Sequence, residues 1–204
     1  MPSFVVLVPV KPPARGKSRL AGLPDDRRAA LAEAFARDTI AAARGAATVA
    51  AVMVVTDDVG FALEARRAGC EVLPDGVADD LNGSLEQAAA EARRRWPDHG
   101  LAALCADLPA LRPDDLAAAL AAVAAPSYVA DHTGQGTTLY AVPPGADFTP
   151  CFGFDSARAH GESGATPLSG ELAGLRLDVD DPVDLGRAML LGVGEHTARV
   201  TGRA

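Results

Sequence analysis

The sequence predicts a single-domain α/β protein with a mostly parallel central sheet and helices on both faces. Three observations predict this fold class. The chain has 204 residues, which suits one domain with a sizeable core. Hydrophobic residues make up 49% of it and aromatic residues only 4%, so the core must consist mainly of Ala, Val and Leu. Apolar runs alternate along the chain with segments of helical periodicity, which is typical of βαβ units.

The first two thirds of the chain contain this alternation. The opening run at residues 4–10 is continuously apolar, as expected for a central strand buried on both faces. The predicted strands are 4–10, 49–55, 70–73, 101–105 and 128–131. The predicted helices are 27–44, 59–68, 85–96 and 114–123. In such open sheets ligands bind beyond the carboxyl ends of the strands, so the loops there are the candidate site.

The last third is rich in Gly and Pro, which interrupt nearly every regular run. We expect strands at 138–142 and 175–179 and a final helix at 182–191, with Asp180 or Asp181 as its N-cap. The predicted domain covers residues 1–192. Residues 193–204 are expected to form a flexible C-terminal tail.

The composition argues against several classes of protein. With 19 basic and 27 acidic residues the net charge is -8, so we expect no nucleic-acid partner. The opening apolar run is too short to span a membrane and lacks the features of a signal peptide, so we expect neither a membrane partner nor export. The cysteines Cys70, Cys105 and Cys151 form no paired motif, which argues against disulfides and zinc. These observations favour a cytoplasmic protein.

A basic loop follows the first strand. Lys11, Arg15, Lys17 and Arg19 fall within nine residues, and Gly16 frees backbone amides to approach an anion. A triphosphate suits this chemistry. A Walker A loop is excluded because it needs glycine at position 11, which is lysine. The alternative is a solvated basic turn, and the position after the first strand favours the phosphate site.

Three carboxylates are candidate ligands for a hard cation such as Mg²⁺. Asp107 follows the buried strand 101–105, where its alternative role is a turn cap. Asp178 and Asp180 are two residues apart on a predicted strand and should share one face. Asp181 and Asp184 are interpreted instead as acidic residues at the start of the last helix.

Three further loops carry small or polar residues. Asn82 or Ser84 can cap a helix or meet a nucleotide, and capping alone explains such residues more often. The loops 134–138 and 152–156 offer hydroxyls and bare amides that suit a phosphate or carboxylate, although either can be a simple turn. His160 follows the second of these, and a lone histidine is more often structural than catalytic.

Together these segments resemble one family over almost the whole chain: the guanylyltransferases that act in the biosynthesis of the deazaflavin coenzyme F(420), on phosphoenolpyruvate or 2-phospho-L-lactate. Any one motif alone would be weak, because Asp-Leu-Pro and Asp-x-Asp-x-Pro also occur in related cytidylyl- and molybdopterin guanylyltransferases. The motifs that carry the resemblance are residues 8–11 with 17–20, 80–82, 106–109, 134–138, 152–156 with His160, and 177–185.

The resemblance implies a Rossmann-like nucleotidyltransferase (GT-A-like) fold, with GTP as co-substrate and Mg²⁺ as cofactor. Acceptors in the family are phosphoenolpyruvate, 2-phospho-L-lactate or 3-phosphoglycerate. The Ala- and Arg-rich composition resembles that of high-GC actinobacterial proteins, and for such a source the family resemblance favours phosphoenolpyruvate. Thr138, Gly153 and Ser156 match the acceptor-binding positions, although Thr137 beside Thr138 leaves open which hydroxyl makes the contact. The metal ligands implied are Asp107 with Asp178 or Asp180. The nucleotide-binding residues expected are Lys11, Arg15, Lys17, Arg19 and Asn82, and those expected to act in catalysis are Lys11, Lys17, Arg19 and Asp107.

Two other functions remain open at this point: another nucleotidyltransferase, such as a molybdopterin guanylyltransferase, and a non-catalytic nucleotide-binding module. The expected partners are GTP and a small phosphorylated acid. A homodimer and a downstream transferase of the same pathway are the protein partners that we consider.

Overall fold

The computed structural model describes residues 3–11, 24–77 and 79–202. The strands are β1 Phe4–Pro9, β2 Val49–Val55, β3 Glu71–Leu73, β4 Gly100–Leu104, β5 Ser127–Ala130, β6 Thr137–Val142 and β7 Thr166–Pro167. The helices are α1 Asp25–Gly45, α2 Val59–Arg67, α3 Leu81–Arg95, α4 Pro113–Ala121, α5 Ser156–Glu162, α6 Ala173–Arg176, α7 Pro182–Leu191 and α8 Glu195–Thr201. Among these residues no helix combines the length and apolar character that crossing a membrane requires.

The strands form one sheet in the order β3-β2-β1-β4-β6-β5-β7. The strand β1 lies between β2 and β4 and is parallel to both, and β2 is parallel to β3. The strand β6 runs antiparallel to β4 and β5, while β5 is parallel to the short β7. The predicted mostly parallel α/β sheet is therefore confirmed. Because β6 is reversed, its first residues meet the carboxyl end of β4, where Leu104 pairs with Leu139.

Alternate residues of β1 face opposite sides of the sheet, as the pleat requires. Val6 and Val8 pack into a core that includes residues of α1 and α4. Val5 and Leu7 pack into a second core that includes residues of α3. Each of these four side chains is fully buried. Helices thus cover both faces, as predicted, and the continuous apolar run of β1 reflects burial on both sides.

Two predicted elements differ from the structure. The predicted strand at 175–179 is wrong, because α6 occupies Ala173–Arg176 and residues 177–180 then form no regular element. The Val179 N–H donates to the Asp107 carbonyl at 3.0 Å, which holds this segment beside the loop that follows β4. The helix α3 begins at Leu81 rather than residue 85, because the carboxylate of Asp80 accepts the Gly83 N–H and caps it.

The end of the chain also differs from the expected flexible tail. Residues Glu195–Thr201 form α8. The buried carboxylate of Asp38 on α1 accepts the backbone N–H groups of His196 and Thr197 at 3.0 and 2.8 Å. This pairing satisfies amides at the start of α8 that have no partner within the helix, so the segment is docked on α1 rather than loose.

Candidate active site

Two adjoining cavities open at the edge of the sheet where β1 and β4 end. The larger, about 640 Å³, lies between the loops 131–137 and 152–156 and the segment 178–187. The smaller, about 230 Å³, lies between the end of β1, α1 and Asp107. Leu81 and Cys105 line both cavities, so they are neighbours. The position agrees with the general rule for open α/β sheets.

An acidic cluster lies where the cavities meet. Asp107, Asp178 and Asp180 each offer a carboxylate oxygen, and these oxygens lie within 4.8 Å of one another. The backbone bond between Val179 and Asp107 brings the two segments together. Val179 itself is fully buried, whereas Asp178 and Asp180 on either side of it are partly buried and both reach the cluster. The three predicted metal ligands are therefore brought together by one backbone contact.

The pKa of Asp178 is raised to about 6, first by burial and then by the negative charges of Asp107, Asp180 and Asp131. Its Oδ1 is buried and accepts no hydrogen bond from the described residues. Three clustered carboxylates repel one another unless a cation lies between them, and oxygen donors of this kind are those that Mg²⁺ prefers. The donor set thus fits a hard divalent cation.

A turn at residues 131–136 forms one wall of the larger cavity. The carboxylate of Asp131 accepts the backbone N–H groups of Thr133, Gln135 and Gly136, at 3.0, 3.1 and 2.9 Å. These bonds fix the turn and place the start of β6 at the cavity. Asp131 therefore shapes the loop in addition to raising the pKa of Asp178.

The two adjacent threonines of β6 take different positions. Thr137 lines the larger cavity. The side chain of Thr138 is buried behind it, and its hydroxyl donates to the carbonyl of Val129 across the sheet at 3.4 Å. Of the two hydroxyls that the sequence left open, that of Thr137 lies nearer the cavity. Direct contact between Thr138 and the acceptor stays a prediction.

The opposite wall is formed by residues 151–156, which we call the acceptor loop after its predicted role. Gly153 lines the cavity and adopts φ +144°, and a Cβ there would meet no described atom within 4 Å. Asp155 has φ +55°, and Phe154 between them is 99% exposed. Ser156 is buried and also lines the cavity. Gly153 and Ser156 thus share a wall that faces Thr137, as acceptor-binding residues should, and their contact with an acceptor stays a prediction.

His160 on α5 is buried beside this loop. Its Nε2 accepts the Cys151 N–H at 2.9 Å, and its Nδ1 lies 2.8 Å from the Ser156 carbonyl oxygen. Because a carbonyl can only accept, Nδ1 carries the proton, and the ring is neutral when Nε2 accepts. Burial lowers the pKa of His160, and the bond to Ser156 opposes this effect. The ring is therefore a structural link and not a base.

This protonation state predicts a specific loss of stability in acid. A folded-state pKa below the unfolded value means that the unfolded chain binds a proton first, so His160 contributes stability above about pH 6.5 that is lost as pH falls through the folded pKa. We expect the free energy of unfolding in urea to fall more for the native protein than for His160→Phe when the pH is lowered from 7.5 to 5. The difference in stability between the two proteins should therefore narrow. If the stability of both proteins changed equally with pH, His160 would not be the neutral, buried group that we assign.

Asn82 bonds to the backbone of the acceptor loop, and its predicted contact with the nucleotide stays a prediction. Its Nδ2 donates to the Phe152 carbonyl and its Oδ1 accepts the Phe152 N–H, both at 2.9 Å. Asp80, and not Asn82 or Ser84, caps α3. The amide of Asn82 is thus bonded to the acceptor loop, 70 residues away in the chain. A side chain that pairs with backbone atoms leaves no signature in the sequence.

The sequence analysis missed three polar residues of the site. His132 lies between two carboxylates, with Nδ1 at 3.5 Å from Asp178 and Nε2 at 3.4 Å from Asp184. Arg187 also contacts Asp184, at 3.3 Å. Asp184 does lie in the first turn of α7, as predicted, but it is buried and lines the larger cavity. The position of His132 in a loop at the sheet edge was the signal that could have identified it.

Of the predicted basic loop, the described residues include Lys11. It is exposed at the end of β1 and lines the smaller cavity together with Asp107. Arg15, Lys17 and Arg19 lie outside the described residues. The smaller cavity is thus the one that Lys11 lines, and residues 152–156 of the acceptor loop line the larger one.

Comparison with known proteins identifies the family. The sequence profile of the family described as "Guanylyl transferase CofC like" matches residues 4–201. The chain belongs to this family. Relatives named phosphoenolpyruvate guanylyltransferase include one from Thermomonospora curvata, 50% identical over 98% of this chain and 90% of its own, and one from Salinispora arenicola, 47% identical over 98% and 94%. The predicted resemblance is confirmed.

Solved structures with low sequence identity share the fold. A protein assigned as a nucleotide-diphospho-sugar transferase from Desulfovibrio desulfuricans G20 matches with a TM-score of 0.72 at 16% identity, covering 100% of this chain and 93% of the other. A nucleotidyl transferase from Methanothermobacter thermautotroptrophicus matches with a TM-score of 0.61 at 17% identity, covering 91% and 95%. The fold of the CofC-like chain is therefore that of the nucleotidyltransferases, as predicted.

Proposed function

We propose that this chain transfers GMP from GTP to phosphoenolpyruvate and releases pyrophosphate. The observation that carries the proposal is the carboxylate cluster of Asp107, Asp178 and Asp180 at the junction of the two cavities. A transfer between two substrates needs both of them at one reaction centre, and this junction offers such a place. The names of the relatives support both the guanylyl group and the acceptor.

Asp107, Asp178 and Asp180 would hold Mg²⁺, in agreement with the raised pKa of Asp178 and the oxygen donor set. Bound there, the ion supplies charge neutralisation at the α-phosphate of GTP. We assign the smaller cavity to the triphosphate, because Lys11 lines it and the basic segment follows. The contributions of Arg15, Lys17 and Arg19 to that site stay predictions.

In the proposed reaction a phosphate oxygen of the acceptor attacks the α-phosphorus of GTP. A new P–O–P bond forms, the bond between the α-phosphorus and the oxygen bridging to the β-phosphate breaks, and pyrophosphate leaves with that electron pair. The acceptor loop, through Gly153 and Ser156, orients the acceptor for in-line attack. Lys11 offsets negative charge on the nucleotide.

The proposed reaction needs no general base from the protein. The acceptor phosphate is already an anionic nucleophile at neutral pH, so positioning and charge neutralisation dominate. His160 is buried and bonded through both ring nitrogens, which leaves it unavailable for proton transfer. The structure of the site is thus consistent with catalysis by positioning.

The test is pyrophosphate release from GTP with a panel of acceptors: phosphoenolpyruvate, 2-phospho-L-lactate, 3-phosphoglycerate and a molybdopterin. We expect phosphoenolpyruvate to give the highest kcat/KM. Release that depends on a pterin acceptor would instead favour the molybdopterin guanylyltransferase, and binding of GTP without release with any acceptor would favour a non-catalytic module. A role in coenzyme F(420) biosynthesis, and association with itself or with a downstream transferase, stay predictions.

Removal of divalent cations should abolish this activity. Without a cation, three carboxylates face the incoming triphosphate, and the electrostatic barrier rises. We expect EDTA to reduce pyrophosphate release by at least about a hundredfold, as for the loss of a major transition-state contact, and Mg²⁺ to restore it. Mg²⁺ without nucleotide should also raise the melting temperature. Full activity in EDTA-treated, cation-free buffer would refute the metal assignment.

A further inference from the structure

We propose that His160 and Asn82 are positioning residues that hold the acceptor loop in the shape that binds the phosphorylated acid. The inference rests on the proposed function, because it assigns the loop to that acceptor. Neither side chain needs to touch the substrate. Each bonds to the backbone of the loop instead.

His160 connects both ends of the acceptor loop. One ring nitrogen accepts the Cys151 N–H at the start of the loop, and the other is bonded to the Ser156 carbonyl at its end. The second nitrogen also lies 3.1 Å from the hydroxyl of Thr137 on the facing wall. A single imidazole thus links the two walls of the cavity in which the acceptor is expected.

The ring itself cannot move, because aromatic side chains enclose it. Tyr140 stacks on it with ring centres 4.7 Å apart, and Tyr128 stacks with ring centres 5.8 Å apart. Phe152, from the acceptor loop, meets its edge at 5.2 Å. His160 is 0% exposed. A rotamer fixed by packing makes the direction of its hydrogen bonds fixed as well.

Asn82 holds the same loop from the first turn of α3. Its amide makes two bonds to the backbone of Phe152, the residue between Cys151 and Gly153. Since α3 packs on the core of the sheet through buried residues such as Leu85, this contact ties the loop to a rigid element. Consecutive loop residues, Cys151 and Phe152, are therefore bonded by His160 and Asn82 respectively.

The acceptor loop needs such support because its own backbone is unfavourable. Asp155 has φ +55°, which costs energy for a residue with a Cβ, and Gly153 has φ +144°. Phe154 between them is exposed and contributes no packing to the core. A loop without external bonds would relax to other shapes, and the acceptor would then have to order it on binding. His160 and Asn82 hold the loop in one shape before the acceptor binds, so binding does not have to order it.

The experiment compares KM for phosphoenolpyruvate and for GTP in His160→Phe, His160→Gln and Asn82→Ala, with Leu120→Ala as the control. Leu120 is buried on α4, outside the residues that line either cavity, so its truncation lowers stability without touching the loop. We expect His160→Phe and Asn82→Ala to raise KM for phosphoenolpyruvate at least about tenfold and to leave KM for GTP within about twofold. The control should change neither.

The two His160 variants separate positioning from packing. Phenylalanine keeps the aromatic contacts and loses the hydrogen bonds, whereas glutamine keeps a donor and an acceptor. We expect glutamine to restore part of the acceptor affinity although it packs less well. A larger KM for the glutamine variant than for phenylalanine, or equal changes in KM for both substrates, would overturn the inference.

Hydrogen exchange at residues 151–156 tests the inference independently of turnover. We expect the amides of Cys151 and Phe152 to lose protection in His160→Phe and Asn82→Ala respectively, while the control keeps it. If the native protein releases no pyrophosphate with any acceptor, the proposed function fails. Hydrogen exchange then tests by itself whether His160 and Asn82 hold the loop. Unchanged exchange in the loop would overturn their role.

Discussion

Asp107→Asn should reduce kcat for pyrophosphate release by at least about a hundredfold, the loss expected when a major transition-state contact is removed. Asp107 lies in the loop after β4, at the junction of the two cavities, and its carboxylate lies close to those of Asp178 and Asp180. Asparagine preserves the size of the side chain and removes the charge. We expect a smaller change in KM for phosphoenolpyruvate, because the acceptor loop is intact.

The matched control is Asp98→Asn, an exposed aspartate in the turn before β4, at the opposite edge of the sheet. It carries the same change in charge and should leave kcat within about twofold, as is usual for exposed positions far from a site. Steady-state pyrophosphate release at saturating GTP and Mg²⁺ measures both variants. Near-normal turnover of Asp107→Asn would exclude Asp107 from the reaction and, with it, the arrangement of the metal site proposed here.

The central strands of the sheet and the first helix were predictable because each has a local sequence pattern. The strands β1 and β4 are continuous apolar runs, and α1 has acidic residues in its first turn and Leu31 and Phe35 at helical spacing. Such patterns reflect burial on both faces of a sheet or on one face of a helix. Once the strands are placed, their carboxyl ends are known. The general location of the site follows, because ligands of open α/β sheets bind beyond those ends.

The proximity of the acidic pair was predicted for a partly wrong reason. The sequence predicted a strand through Asp178 and Asp180, whereas the structure has an irregular segment held by the Val179 bond to Asp107. Val179 is buried, and the carboxylates on either side of it both reach the cluster with Asp107. The predicted proximity of the two carboxylates therefore did not depend on membership of the sheet.

Contacts between a side chain and a distant backbone could not be predicted. Asn82 bonds to Phe152 across 70 residues, and Asp38 bonds to His196 across 158. A backbone amide is present at every position except proline, so nothing in the sequence marks which one a polar side chain will meet. For the same reason the order of α8 and the role of Asn82 emerged only from the structure.

Asp178→Asn should abolish turnover and at the same time stabilise the cation-free protein. The pKa of Asp178 is raised to about 6 by burial and by neighbouring carboxylates, so its ionised form is unfavourable in the folded state. The folded chain binds more protons than the unfolded chain between the ordinary value of 3.8 and about 6, and stability therefore falls as pH rises through this window. Asparagine carries no charge, so the variant does not lose stability as the pH rises through this window.

The expected gain in EDTA at pH 7.5 is about 1 to 3 kcal/mol, the upper bound being the free energy of a pKa shift of roughly two units. At pH 4, where Asp178 is largely protonated in the folded protein, the gain should disappear. Mg²⁺ should reverse the order at pH 7.5, because the cation stabilises the native cluster and has one ligand fewer in the variant.

Urea unfolding of both proteins at the two pH values, with EDTA or Mg²⁺, measures these differences, and pyrophosphate release measures turnover. A gain in stability coupled to loss of activity is the signature of a charge cluster maintained for binding a cation. If Asp178→Asn is instead less stable than the native protein in EDTA at pH 7.5, the carboxylate contributes to the fold, and its raised pKa carries no information about a cation. A cation site and a purely structural role of the carboxylate predict different results. Only for a cation site should the stability difference vanish at pH 4 and reverse with Mg²⁺ at pH 7.5.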